Sequence, residues 1–346
     1  MIIVLEPDAG DRQVRAVCER VREHGLEAHV SRGERRTVVG CVGDESRLVD
    51  VPFAAMDGVD DVHPIERPYR MAARRFRAVR TRIPVGDHRV GDGFTVMAGP
   101  CSVEGEEMLM RTARAIREEG AHVLRGGAFK PRTSPYSFRG LGEEGLRLLA
   151  RAREETGMPV ITEVMDPRQV DVVDGYADVL QVGSRNMKNY DLLEALGTTD
   201  TPVFLKRGMA STIRDFLLAA EYVMNAGNPR VMLCERGIKT FADETRNTLD
   251  ISAVPVLKRE THLPVIVDPA HATGQRDLVA PLASAAAAAG ADGIMVEVHP
   301  DPDRALSDGP QSLTFDGFRE LMEKVRPVAE LVEEDASSGM NLAPAV

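Results

Sequence analysis

The stretch Phe94–Gly127, FTVMAGPCSVEGEEMLMRTARAIREEGAHVLRGG, contains one complete strand–helix–strand unit. Its apolar runs, FTVMAG and HVL, are continuous rather than alternating, as expected of parallel strands buried on both faces. MLMRTARAIREEG between them carries apolar residues at helical spacing. The same alternation then recurs along the chain. PVITEV, VLQVGS, PVFLKRG, RVMLCERG, PVIVDPA and GIMVEVHP are further runs of strand length, and LRLLARAREETG, RDFLLAAEYVMNAG and FRELMEKVRPVAELV are helical patterns among them. Eight such units within Phe94–Glu330 match the roughly 250 residues of a (β/α)₈ barrel. An open doubly wound sheet is the rival arrangement, and eight successive units favour closure. The barrel is expected over residues 94–332, with 333–346 as a disordered tail.

Residues 1–67 read differently. Ile2–Glu6, Glu27–Ser31, Thr37–Val42 and Val59–Ile65 are short extended runs, and Arg12–His24 places Val14, Val17, Cys18 and Val21 on one helical face. Leu48–Met56 is expected to hold a second, short helix despite Pro52. The order βαββαβ is that of a ferredoxin-like domain. Residues 68–93, with the Arg-rich stretch Arg70–Arg82, are expected to form a linker helix and entry segment.

The 346-residue chain has a formal net charge of −11. That balance argues against nucleic-acid or membrane-surface partners, which need a basic face. Cys18, Cys41, Cys101 and Cys234 are widely spaced, and the opening MIIVLEPDAG lacks the cationic start and apolar core of a signal peptide. Free thiols in a reducing cytoplasm are the expected setting.

Against this acidic background the loop Leu124–Gly140, LRGGAFKPRTSPYSFRG, concentrates Arg125, Lys130, Arg132 and Arg139 among glycines and prolines. Glycine lets a backbone approach a ligand and proline stiffens the loop, while guanidinium groups bind phosphate and carboxylate in bidentate fashion. Barrel active sites are built at the C-terminal ends of the strands. Here those ends carry Cys101, Arg125, Glu163, Arg185, Lys206, Arg236, His271 and Glu297, where a packed core would call for Val, Ile and Leu. Arg125, Lys130, Arg185, Lys206 and Arg236 form a cationic group that implies a ligand with phosphate and carboxylate groups. Cys101, His271 and Glu297, with Asp308 in SDGPQSL, form a mixed S/N/O set suited to Zn²⁺, Fe²⁺, Mn²⁺ or Co²⁺. The chain has only six lysines, and four of them (Lys130, Lys188, Lys206 and Lys239) fall in these Gly/Arg motifs.

MAGPCSVE, GGAFKPRTSPYSFRG, GSRNMKN, LKRG, CERGIKTF, DPAHATG, EVHPDP and SDGPQSL span Met97–Leu313. In them the chain resembles the type I 3-deoxy-D-arabino-heptulosonate 7-phosphate (DAHP) synthases, in the short subgroup with an N-terminal ferredoxin-like domain. The resemblance implies condensation of phosphoenolpyruvate with erythrose 4-phosphate and water, releasing phosphate, the first step of the shikimate pathway. By the same resemblance Arg125, Lys130, Ser184, Arg185, Lys206 and Arg236 would hold phosphoenolpyruvate. Arg132 and Thr133 of KPRTS would bind erythrose 4-phosphate. Cys101, His271, Glu297 and Asp308 would ligate one divalent metal, Mn²⁺ foremost, with Lys130 donating or relaying a proton. Glu163 would position water or offer only its backbone. It further implies a homo-oligomer, a tetramer, and inhibition by an aromatic amino acid, tyrosine or phenylalanine, through residues 1–67. Two alternatives are the sister 3-deoxy-octulosonate 8-phosphate synthase, disfavoured by Pro131 and Thr133, and a Schiff-base aldolase using Lys206, disfavoured by the adjacent Arg207. A non-catalytic ligand sensor is disfavoured by the intact cationic and ligand sets.

Overall fold

The computed structural model describes residues 1–33, 35–63, 68–132 and 134–337, and the chain divides into two compact units at Arg70/Met71. The first is a four-stranded antiparallel sheet with one helix: β1 (Ile2–Leu5), α1 (Asp11–Glu23), β2 (Glu27–Arg32), β3 (Thr37–Val42) and β4 (Val59–His63), in the order β2-β3-β1-β4. Val14, Val17, Cys18 and Val21 of α1 are buried against Ile3, Leu5 and Val39 of the sheet. The expected helix over Leu48–Met56 is not there. Two 3₁₀ turns, Glu45–Leu48 and Phe53–Ala55, replace it. Pro52 has no N–H and disfavours α conformation at Val51, so an α-helix cannot run through this segment. Leu48 and Phe53 nevertheless supply the buried apolar contacts a helix would have made.

The second unit begins without the expected linker helix. Between Met71 and Thr81 there is only a 3₁₀ turn, Arg74–Phe76. The backbone groups that would have made helical bonds are engaged elsewhere. Met71 and Ala72 N–H donate to the Glu221 carboxylate at 2.8 Å each, His262 Nε2 donates to Met71 O at 2.7 Å, and Thr81 N–H donates to His262 O at 2.8 Å. A hairpin follows, β5 (Ile83–Val85) and β6 (His88–Val90). Its Ile83, Val85 and Val90 share one core cluster with Met97, Val123, Ile161, Val179, Phe204, Met232, Ile266 and Met295 of the barrel strands. The hairpin therefore plugs one end of the barrel.

That barrel is closed and wholly parallel. Its strands are β7 (Thr95–Gly99), β8 (Val123–Arg125), β9 (Val160–Val164), β10 (Val179–Val182), β11 (Val203–Lys206), β12 (Val231–Glu235), β13 (Val265–Val267) and β14 (Gly293–Glu297). The ring closes by pairing β14 with β7, Gly293 to Thr95 through Glu297 to Gly99. Every residue of β7, β9, β12 and β14 is buried, which accounts for their uninterrupted apolar runs. The intervening helices include α2 (Glu106–Glu118), α3 (Glu143–Thr156), α4 (Val170–Asp174), α5 (Tyr190–Gly197), α6 (Ile213–Asn225), α7 (Ala253–Glu260), α8 (Pro269–Thr273) and α9 (Val279–Ala288). The closing helix α10 runs from Phe315 to Ser337, into the stretch expected as a tail, and 338–346 lie outside the described residues. Among the described residues no helix is long and apolar enough to cross a membrane.

Candidate active site at the barrel mouth

A cavity of about 500 Å³ opens where the strands end. Arg125, Lys130, Arg185, Lys206 and Arg236 all line it, as do Arg132, Glu163, Ser184, His271 and Asp308. Cys101 and Glu297 complete the group from behind, in contact with Lys130, Asp308, Arg125 and His271. Thr133 lies outside the described residues. Arg139 contributes its carbonyl, which accepts a bond from Lys130 N–H at 2.9 Å. Lys188 does not line the cavity. It pairs with Asp215 in the first turn of the helix after β11, 3.3 Å away.

Strand geometry sets most of these positions. Successive side chains on a strand point to opposite faces, so Lys206 at the end of β11 and the next residue, Arg207, part company. Lys206 is held by Asp268 inside the barrel. Arg207 turns away to Glu235 and Asp250, at 2.8 and 2.9 Å. The Lys206 Nζ is taken up by the Asp268 carboxylate rather than open to a carbonyl carbon, which removes support from Schiff-base chemistry there. Glu163 pairs with Gln181 on β10, and its carboxylate fits only because the residue just past the end of that strand is glycine: a Cβ on Gly183 would sit 2.1 Å from Glu163 Oε1.

Cys101, His271, Glu297 and Asp308 offer ligand atoms that all lie within 4.8 Å of one another. Cys101 Sγ is 3.1 Å from Asp308 Oδ2 and His271 Nε2 is 3.4 Å from Glu297 Oε1. The other imidazole nitrogen, Nδ1, lies 2.7 Å from Asp268 Oδ2, the arrangement by which a carboxylate orients a metal-binding histidine and leaves Nε2 free to coordinate. Glu297 is further steadied by Arg125 at 3.0 Å and by the Gln311 amide. A thiol, an imidazole and two carboxylates in this enclosure fit one divalent transition metal. Asp308 is the one described residue other than glycine with positive φ, at 51°. Such strain persists where the surroundings over-determine it, and it is concentrated at functional sites.

Burial pushes the Cys101 thiol up to about 12, with the Glu297 carboxylate acting in the same direction and Lys130 opposing. Burial also lowers His271, against the pull of Asp268 and Glu297. Asp308 is held well below the usual carboxylate range: burial opposes this, but His271, the Cys101 thiol, Arg246 and Lys130 together outweigh it.

Buried polar atoms without a hydrogen-bond partner occur at several places in the molecule, and five of them lie together at or just behind the cavity: Arg125 Nε, Glu163 Oε1, Arg236 Nη1, Asn247 Oδ1 and Gln311 Oε1. Native structures rarely leave such groups unpaired, so the cluster marks a place where a polar ligand supplies the partners. Reading strand ends alone misses Gln181, Lys239, Arg246 and Asn247 in the lining, and Asp268 and Gln311 behind it. Lys239, Asp268 and Gln311 sit inside motifs already singled out (CERGIKTF, DPAHATG and SDGPQSL). Arg246 and Asn247, in a polar loop after β12, carry no such signal. Arg246 reaches Asp308 at 3.1 Å, and Asn247 Nδ2 donates to His271 O at 3.2 Å.

Residues 78–334 match the DAHP synthetase I family, and residues 1–67 match the DAHP synthase ferredoxin-like domain. The chain is 50% identical over 331 residues to the phospho-2-dehydro-3-deoxyheptonate aldolase of Thermotoga maritima, covering 95% of this chain and 98% of that one. It is 37% identical over 259 residues to the 2-dehydro-3-deoxyphosphooctonate aldolase of Syntrophobacter fumaroxidans, covering 70% and 89%. The crystal structure of the Thermotoga DAHP synthase superposes with a TM-score of 0.93 over 96% of this chain and 97% of that chain. A truncated form of the same enzyme superposes with a TM-score of 0.71 over 76% and 97%.

Proposed function

This chain belongs to the DAHP synthetase I family, and from that premise we propose that its barrel mouth condenses phosphoenolpyruvate with erythrose 4-phosphate and water to give DAHP and inorganic phosphate. The observation that carries the reading is the convergence of five cations on one cavity beside a four-ligand S/N/O cluster. A phosphate and a carboxylate on one small molecule match the cations, and an aldehyde oxygen matches the ligand cluster.

In this reading Arg185, Lys206 and Arg236 clamp the phosphate and carboxylate of phosphoenolpyruvate, with Ser184 at the edge. Arg236 Nη1, buried and unpaired, is a ready donor to a phosphate oxygen. Arg125 also faces the cavity, but its Nη1 is engaged by Pro100 O and Glu297, so its role is divided between the anion and the ligand cluster. Arg132, in the KPRTS loop, takes the phosphate of erythrose 4-phosphate together with Thr133. Cys101, His271, Glu297 and Asp308 would hold one divalent ion, Mn²⁺ in the first instance, with Fe²⁺, Co²⁺ and Zn²⁺ suited to the same donors. What a bound ion supplies there is Lewis acidity toward the aldehyde oxygen.

The bond-forming step joins C3 of phosphoenolpyruvate to the aldehyde carbon. Water then adds at C2, and the C2–O bond to phosphate breaks as phosphate leaves. Lys130 Nζ lies 3.0 Å from Cys101 Sγ and 3.1 Å from Cys101 O, with its third proton free for the reacting oxygens. Glu163 Oε1, unpaired and buried, is placed to hold the attacking water. The arginines stabilise the charge of the departing phosphate.

Residues 1–67 are read as a regulatory domain that binds tyrosine or phenylalanine, in a cytoplasmic homo-oligomer, a tetramer. The deciding assay offers erythrose 4-phosphate and arabinose 5-phosphate side by side with phosphoenolpyruvate. Phosphate release with the four-carbon aldose and little with the five-carbon one is expected. The reverse preference would reassign the chain to the octulosonate reaction.

A further inference from the structure

Two loops far apart in the sequence bring Cys101 and Asp308 together. The loop after β7 carries Cys101 and the loop after β14 carries Asp308, yet Sγ and Oδ2 meet at 3.1 Å. Behind this contact, outside the cavity lining, a second set of polar groups joins the same two loops. Glu104 Oε1 accepts from Leu306 N–H at 2.9 Å and from Ser102 Oγ at 3.3 Å. Glu104 Oε2 lies 3.4 Å from His299 Nε2. Asp301 N–H donates to His299 Nδ1 at 3.0 Å, which fixes the ring beside Glu104. Ser102 Oγ and Ser307 Oγ are 2.7 Å apart, and both serines are buried. Ser102 follows Cys101 and Ser307 precedes Asp308, so each ligand's immediate neighbour is tied to the opposite loop.

We propose that Glu104 is a positioning residue for the ligand cluster. With Ser102, Ser307 and the Leu306 backbone it clasps the two loops at the spacing a metal requires. The proposal rests on reading Cys101, His271, Glu297 and Asp308 as metal ligands. Glu104 touches neither substrate nor ion in this account. Its action is on Asp308, whose left-handed backbone is held only while the flanking chain is pinned, and on the separation of Asp308 from Cys101. Groups that orient metal ligands in this way are typically worth 10–100-fold in metal affinity. The clasp shares no hydrogen bond or ion pair with Arg185, Lys206 or Arg236, so phosphoenolpyruvate binding is expected to survive its loss.

The test is titration of the metal-free full-length chain with Co²⁺ against a competing chelator, followed through the thiolate-to-cobalt charge-transfer band that reports Cys101 coordination. Glu104→Ala and Ser307→Ala are each expected to weaken Co²⁺ binding by about 10–100-fold and to reduce that band. The double variant is expected to be little worse than the weaker single, because both break one clasp. Glu104→Gln keeps an oxygen for Leu306 N–H and Ser102, and is expected to recover part of the affinity. Phosphoenolpyruvate binding to the metal-free variants, measured by calorimetry, is expected to stay within about twofold of the parent. If the parent chain develops no thiolate band, the metal-site reading itself fails. If the parent develops the band and Glu104→Ala binds Co²⁺ as tightly, the clasp alone is overturned. Should Glu104→Ala not fold, unchanged affinity in both Glu104→Gln and Ser307→Ala overturns it equally.

Discussion

At Cys101 a thiol sits beside a lysine and two carboxylates, and burial keeps its proton in place, with the sulfur pushed up to about 12. Coordination requires the thiolate, so taking up a metal must expel that proton. Divalent-ion binding is therefore expected to weaken as pH falls. Calorimetry in two buffers of different ionisation enthalpy should detect proton release on binding, and Cys101→Ala should lose both the release and the activity while keeping the far-UV circular dichroism. Binding with no proton released would contradict the thiolate role. The cationic groups separate by substrate. Arg236→Ala removes charge-assisted bonds worth roughly 1.5–3 kcal/mol, a rise of about 10–100-fold in the phosphoenolpyruvate KM. Arg132→Ala should act on the erythrose 4-phosphate KM instead. A rise confined to phosphoenolpyruvate in Arg132→Ala would show that the two phosphate sites are exchanged.

Among the elements, the β5–β6 hairpin and the strands it packs on carry a feature with a measurable consequence. His88 and His122 stack with ring centroids 4.3 Å apart, and Val96 N–H donates to His122 Nδ1 at 3.0 Å. Burial, helped by His88, Arg326 and Arg117, lowers His122 from 6.5 to about 4. Burial lowers His88 as well. Between the two values the unfolded chain binds more protons than the folded one, so stability is fully present above about pH 6.5 and is lost as pH falls toward 4. Denaturant midpoints are expected to drop over that window, and His122→Gln, which can still accept from Val96, should flatten the slope. A midpoint in the parent chain that is level from pH 7 to pH 4.5 would rule out this contribution.

For the whole molecule, the division at Arg70/Met71 separates the barrel that carries every site residue named above from a small sheet domain with its own core. Coupling between an effector on one and chemistry on the other is typically worth 1–3 kcal/mol. Deleting residues 1–67 is expected to leave a catalytic barrel whose rate tyrosine and phenylalanine no longer alter. The measurement is initial rate against either amino acid for the intact and shortened chains. Indifference of the intact chain to both at millimolar concentration would remove the regulatory role.

The barrel was legible because its signal is periodic and local: each buried parallel strand must be apolar on both faces, and each covering helix must carry one apolar stripe. The cationic and ligand residues were legible as strand-end exceptions to that rule. Secondary structure governed by non-local bonding was not. The segment after Met71 takes its backbone partners from Glu221 and His262, some 150 to 190 residues away, and so never forms the helix expected of it. Pro52 likewise divides a predicted helix into two 3₁₀ turns whose buried Leu48 and Phe53 keep the packing. Asp268 and Glu104 stand inside motifs the sequence singles out, DPAHATG and MAGPCSVE, but nothing in those stretches says what either carboxylate touches. Only the closed barrel sets one beside Lys206 and His271 and brings the other, on the loop after β7, to the loop after β14, because proximity across a fold is a property of chain closure and not of any local stretch of residues.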